Sequence, residues 1–244
     1  MFKLLNKKFD GFILATDATK QAKILVEILK LKIPIIVEKP LCLKKTEFKQ
    51  ILKYIQKEQI IFVNHYHLFS YSFQKFKESF NVSQVRNIFI QDGNYGPFRK
   101  KVHPIFDWGP HSLGILFKLF GTKIKKFYFS KKLLMKNKDI EIVILKFLFI
   151  FSNEQKVLIK IGNGFNKRKN KISVVLRNGK RYFFENNIFY NNKNLIYENK
   201  PEPMENLLKE FYNSIVKVNS YDPTSYEIAK KTSYFLLNKI SKLN

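Results

Sequence analysis

The 244-residue chain carries 45 Lys and Arg against 19 Asp and Glu, a formal charge of +26, with 45% hydrophobic and 16% aromatic residues. That apolar content excludes a disordered chain and is enough to bury a sizeable core, as one large domain or two modest ones. The charge invites a nucleic-acid reading, but 40 of the basic residues are Lys and five are Arg. Base edges and planar stacking favour Arg. Lys, Asn, Ile, Phe and Tyr are all plentiful, which is what A/T-rich codons produce, so the charge reads as composition and nucleic acid is not an expected partner. The dense run Asn166-Lys167-Arg168-Lys169-Asn170-Lys171 fits a solvated hairpin loop as well as a binding patch. Cys42 is the single cysteine, which rules out an intramolecular disulfide and fits a reducing compartment. The apolar runs Phe12–Ala15 and Ile140–Phe151 are too short for a signal peptide or a bilayer span. The expected setting is cytoplasmic, without a membrane.

In chain order, residues 9–16 are apolar with little alternation, as in a buried parallel strand. Residues 20–31 follow a helical pattern with Ala22, Leu25, Val26 and Leu29 on one face. Pro34-Ile35-Ile36-Val37 is a second strand, residues 45–57 a second helix with Thr46 as its expected cap, and Ile60–Val63 a third strand. Strand, helix, strand, helix, strand implies a right-handed parallel α/β unit, whose ligands sit off the carboxyl ends of the strands. Thr16, Glu38-Lys39 and Asn64-His65 occupy those ends. A helix over 72–80 and a strand from Val85 follow, then a helix opened by Asp107 that runs to about Phe120 and stops at Gly121. From Lys123 to Tyr197 the chain alternates, with turn signals at Ser152-Asn153-Glu154, Gly162-Asn163-Gly164 and Arg177-Asn178-Gly179-Lys180, each read as a hairpin. Two helices, 203–217 and 223–239, close the chain. The expected architecture is α/β plus α+β: a partial Rossmann-like parallel sheet over residues 1–69, then an open, mainly antiparallel sheet with flanking helices over 70–244.

Asp107-Trp108-Gly109-Pro110-His111 sets a carboxylate and an imidazole four residues apart on one helix face. The plainer reading of Asp107 is a helix cap with Pro110 in the first turn, and of His111 a half-buried histidine bonded to that cap. In a first turn the helix dipole would favour the neutral imidazole a general base requires. Lys39, before Pro40 at a strand end, makes a third group suited to proton transfer or to developing negative charge. His65 and His67 alternate along a strand end and share a face, but no third ligand is evident and no metal site is expected. His103 reads as an isolated loop residue.

With these residues in place, the chain resembles the glucose–fructose oxidoreductase / inositol dehydrogenase / rhizopine-catabolism (Gfo/Idh/MocA) family. Ile13-Leu14-Ala15-Thr16 is similar to the family's strand ending in Ala-Thr-Pro, and Val37-Glu38-Lys39-Pro40-Leu41 to its Glu-Lys-Pro motif. Asp107-Trp108-Gly109-Pro110-His111 matches Asp-x-Gly-x-His, and Val63-Asn64-His65 through Phe69 and Phe73 resemble the segment leading into the second domain. The resemblance implies hydride transfer between NAD or NADP and a sugar, polyol or nucleotide-linked sugar, and a C-terminal sheet that forms homo-oligomers. It implies Ala15, Thr16, Glu38, Lys39 and Pro40 beside the cofactor, and His65 and Trp108 beside the substrate. Lys39, Asp107 and His111 would be catalytic, with His111 the acid/base and Asp107 assisting it. Three positions depart from the family. The Gly-x-Gly-x-x-Gly turn has no counterpart in these residues, so it is expected upstream of Met1 or on another chain; Asp17 replaces the Pro of Ala-Thr-Pro; Leu68 replaces an Arg. The alternative is a non-catalytic assembly protein that keeps the sheet.

Overall fold

The computed structural model describes residues 9–191, 194–198, 203–217 and 220–240. It divides into two compact units, Met1–Asn64 with Leu207–Asn244, and His65–Asn206.

In the first unit, β1 (Phe12–Leu14), β2 (Ile35–Val37) and β3 (Ile61–Val63) form a parallel sheet in that order, each strand one end of a βα step through α1 (Ala18–Leu29) and α2 (Lys45–Tyr54). Pairing is in register, Leu14 opposite Val37 and Val37 opposite Val63. The strands are shorter than the apolar runs suggest. β2 and β3 are buried at every residue, as strands covered on both faces must be. Thr46 does not cap α2. Lys44 is the N-cap, and Glu47 Oε2 accepts from the Leu43 and Lys44 amides at 3.0 and 3.1 Å. The outer edge of β3 is satisfied by side chains: Tyr221 Oη accepts from Ile61 N–H and donates to Ile61 O, and Ser225 Oγ accepts from Val63 N–H. Ser225 belongs to α6 (Thr224–Phe235), while Phe211 of α5 (Pro203–Val216) packs edge-on against Phe62 at 5.8 Å.

The second unit holds a 3₁₀ turn (Tyr66–Phe69), α3 (Tyr71–Glu78), α4 (Pro104–Phe120) and eight strands: β4 (Val85–Tyr95), β5 (Ile124–Lys136), β6 (Glu141–Phe151), β7 (Lys156–Gly162), β8 (Gly164–Leu176), β9 (Arg181–Glu185), β10 (Ile188–Asn191) and β11 (Asn194–Glu198). Their order is β11-β10-β9-β8-β4-β7-β6-β5, antiparallel except for the parallel pair β4/β7. Alternation buries one face: Val143, Leu145, Phe147 and Phe149 of β6 and Val157, Ile159 and Ile161 of β7 are fully buried, and α4 packs on β4, β6 and β7. Phe73 and Phe76 of α3 close over Phe184 at 5.6 and 5.7 Å.

Gly162-Asn163-Gly164 is not a hairpin turn. β7 and β8 lie on opposite sides of β4, so the segment carries the chain across the end of that strand. Asn163 stitches the crossing to β6, its Oδ1 accepting from Val143 N–H at 2.9 Å and its Nδ2 donating to Glu141 O at 2.8 Å. Gly162 lies at φ +147°, and a Cβ there would stand 2.1 Å from Val143 O. Gly162→Ala is therefore expected to cost about 3–5 kcal/mol, strain plus overpacking. Gly179→Ala, at φ +85° with nothing within 4 Å, is expected to cost about 1 kcal/mol. Thermal melts of the two variants check the contrast, and equal shifts would contradict it.

Candidate active site

In the first unit the loop after β2 carries Glu38, Lys39 and Pro40, with a cis peptide between the last two. Gln21, 1% exposed on α1, fixes this loop: its Nε2 donates to Glu38 O at 2.5 Å and to Pro40 O at 2.6 Å, the carbonyls on either side of Lys39. The two amide hydrogens of one side chain thus bracket the lysine. Glu38 is held in turn, its Oε1 accepting from Asn64 Nδ2 at 2.7 Å at the end of β3. Ala15 and Thr16 follow β1, Ala15 exposed and Thr16 half-buried. Asp17 then caps α1 by accepting from Thr19 N–H at 2.8 Å. The departure from Ala-Thr-Pro thus serves the helix N-terminus.

In the second unit, α4 does not begin at Asp107. His103 is the N-cap, its Nδ1 accepting from Ile105 N–H at 3.2 Å, with Pro104 in the first turn, where its missing N–H leaves no bond unmade. The proton of neutral His103 then sits on Nε2, 3.4 Å from Glu141 Oε2. Glu141 also holds Lys131 at 2.5 Å and Lys136 at 3.1 Å. Burial, aided by Lys131, lowers the His103 pKa and keeps it a neutral cap. The residue read as an isolated loop histidine therefore starts the helix. Asp107 lies in the first turn and pairs with Arg99 Nε at 2.9 and 3.1 Å. Pro110 is inside the helix, removing the bond its N–H would give to Phe106 O. His111 lies a turn deeper than expected, where the helix dipole acts less on it.

His65 and His67 do not share a strand face, because β3 stops at Val63 and the 3₁₀ turn begins at Tyr66. The turn nonetheless brings both rings toward His111, at 6.0 and 5.9 Å between centroids and 87° between planes. Tyr66 stands between them, edge-to-face on His111 at 4.6 Å and 3.8 Å from His67. Its Oη accepts from Asn170 Nδ2 at 2.7 Å, and Asn170 lies opposite Asp92 across β8 and β4. Burial, with Asp92 nearby, raises the Tyr66 pKa far above the ordinary phenol value. Burial, with His65 beside it, lowers the His67 pKa to about 3. Trp108 adds a buried indole Nε1 with no hydrogen-bond partner among the described residues. Within the described residues no three His, Cys, Asp or Glu are placed to hold a metal ion.

The structure thus brings His111, His65 and Asp107's helix together in one unit, and places Lys39, Glu38, Pro40, Ala15 and Thr16 at strand ends of the other. Arg99, Tyr66, Asp92 and Gln21 went unread, and Asn170, read within a loop run, lies buried in the strand β8. Gln21 had a signal, a polar residue in register with Leu25 and Leu29 on the apolar face of α1; the others acquire meaning only through partners distant in sequence.

A parallel βα unit joined to an open, mainly antiparallel sheet is the fold of Gfo/Idh/MocA-type oxidoreductases. A dehydrogenase from Clostridium difficile is similar at 16% identity and TM-score 0.80, over 100% of this chain and 82% of its own. UDP-N-acetylglucosamine 3-dehydrogenase from Acidithiobacillus ferrooxidans is similar at 11% identity and TM-score 0.73, over 96% and 79%. Biliverdin reductase from Synechocystis, solved with biliverdin and NADP+, is similar at 14% identity and TM-score 0.72, over 94% and 79%. No protein-family model matches the sequence, and no curated protein matches it. No helix among the described residues is long and apolar enough to cross a membrane.

Proposed function

We propose that the chain is an NAD(P)-dependent oxidoreductase acting on a sugar, polyol or nucleotide-linked sugar in the cytoplasm. The observation that carries this reading is His111, set on a rigid helix among His65, Tyr66 and His67, in a fold that named dehydrogenases share. His111 takes the proton of the substrate hydroxyl. Lys39, held by Gln21's bonds on either side of it, is the positive charge suited to stabilise a developing oxyanion. Asp107 assists by holding Arg99 at the helix start, with Trp108 and His65 lining the substrate side. A nicotinamide, when bound, supplies the hydride acceptor.

The residues fit the nicotinamide end of such a cofactor, with Glu38, Lys39 and Pro40 after β2 on a loop fixed by Gln21's buried amide and Thr16 after β1. For the pyrophosphate the described residues offer no glycine-rich cradle, and the first amides of α1 are met by Asp17. The segment from Tyr95 to Lys101 supports a nucleotide-linked substrate: Tyr95 and Phe98 are exposed and edge-to-face at 5.1 Å, and Arg99, Lys100 and Lys101 follow. Homo-oligomerisation is supported by a row in register across the open face of the sheet, Tyr128, Leu148, Leu158, Phe89, Ser173 and Phe183. That row also favours the second reading, a non-catalytic assembly protein.

Fluorescence titration with NADH and NADPH separates the two. Saturable binding, followed by reduction of NAD+ or NADP+ with UDP-N-acetylglucosamine or a panel of free sugars, is the expected result. No binding up to about 1 mM, together with a stable oligomer by light scattering, would leave the assembly reading in its place.

A further inference from the structure

His111 hangs from α4 by two rotatable bonds, and an acid/base group contributes only while its ring stays aligned with the proton it moves. Of the three rings that meet it, Tyr66 comes nearest, at 4.6 Å with 69° between planes, against 6.0 and 5.9 Å for His65 and His67. Tyr66 is fixed at both ends. Its backbone lies in the 3₁₀ turn, closed by Leu68 N–H to His65 O at 2.8 Å and Ser70 N–H to His67 O at 3.2 Å. Its hydroxyl, at the far end of the ring, is held by Asn170 Nδ2 at 2.7 Å. Asn170 is 8% exposed in β8, paired directly with Asp92 of β4, and its Nδ2 lies 3.5 Å from Asp92 Oδ1. The phenol cannot swing without breaking a part-buried bond, and a phenylalanine would fill the space without that bond.

We propose that Tyr66 and Asn170 are positioning residues for His111, which lock its imidazole in one orientation by an edge-to-face contact anchored in the sheet. The catalytic consequence rests on the reading of His111 as the acid/base group; the positioning itself does not. The chain has four histidines, so the imidazole ¹⁵N spectrum of the full chain holds few signals, and His111→Gln assigns the one in question. In the wild type His111 is expected to show the ¹⁵N shifts of a single tautomer. Tyr66→Phe is expected to move them toward averaged values, and Tyr66→Leu further still. His103, tied to the Ile105 amide, stays unchanged and reports that the unit is folded. Should Tyr66→Leu fail to fold, Tyr66→Phe decides alone. Unchanged His111 shifts in the folded variants would overturn the proposal. Where the wild type oxidises UDP-N-acetylglucosamine, Tyr66→Leu is expected to lower kcat about 100-fold with KM little altered, and a change in KM alone would count against positioning. Shifted ¹⁵N signals with no turnover in any form, wild type included, would uphold the positioning and remove the oxidoreductase reading.

Discussion

His67→Phe is expected to lose about 3 kcal/mol less stability than the wild type as pH falls from about 7 to about 4. His67 is 3% exposed, and its pKa is lowered to about 3 by burial and by the neighbouring His65. In the unfolded chain it titrates near 6.5, so between these values the unfolded state holds a proton that the native state does not. Stability contributed by the neutral ring is complete above about pH 6.5 and is lost as pH falls below it, at about 1.4 kcal/mol per pH unit, until the native ring itself protonates. Phenylalanine suits the site, because Tyr66, Phe73 and Phe184 surround the ring at 3.8, 5.9 and 6.1 Å. His103 adds acid sensitivity of the same sign, its pKa also being lowered, so the variant retains part of the slope. Urea titrations at several pH values measure the difference. Parallel pH profiles for wild type and variant would show that His67 is not the group responsible.

His111→Gln is expected to reduce turnover by about 10²–10⁴-fold while leaving the NADPH titration unchanged. Glutamine keeps a polar side chain of similar reach on α4 but cannot take up the hydroxyl proton. The loss corresponds to about 3–5 kcal/mol of transition-state stabilisation. Thr16, Glu38, Lys39 and Pro40, which we propose stand beside the cofactor, lie in the other unit. Retained turnover in His111→Gln would move the acid/base role elsewhere, with His65 next to test, at 6.0 Å from His111.

Most of the fold was legible because its signals are local. The apolar runs at 9–16, 34–37 and 60–63 lie too close in sequence, with helical periodicity between them, to form anything but parallel βα steps, and the structure pairs the strands within them in that order. Gly121, at φ +67°, ends α4 where the glycine predicted it. Two errors have different causes, one distant in sequence and one local. Gly162-Asn163-Gly164 has the composition of a hairpin, but β4, contributed from far earlier in the chain, inserts between β7 and β8, and no local signal records that. Asp107 has the composition of a cap, but Pro104 and His103 start the helix earlier, and Asp107 turns to Arg99 instead.

By itself the sequence determined most helices and strands, the parallel and antiparallel halves, and that Lys39 follows a strand while Asp107 and His111 share a helix, because periodicity, turn chemistry and motif spacing are properties of neighbouring residues. Tertiary structure alone decided their partners. Gln21 on the carbonyls flanking Lys39, Tyr66 on His111 and Asn170 on Tyr66 join residues 17 to 104 positions apart or meet across a helix and a turn. Such contacts depend on which buried polar groups must be satisfied once the chain has packed, and that requirement arises only in three dimensions.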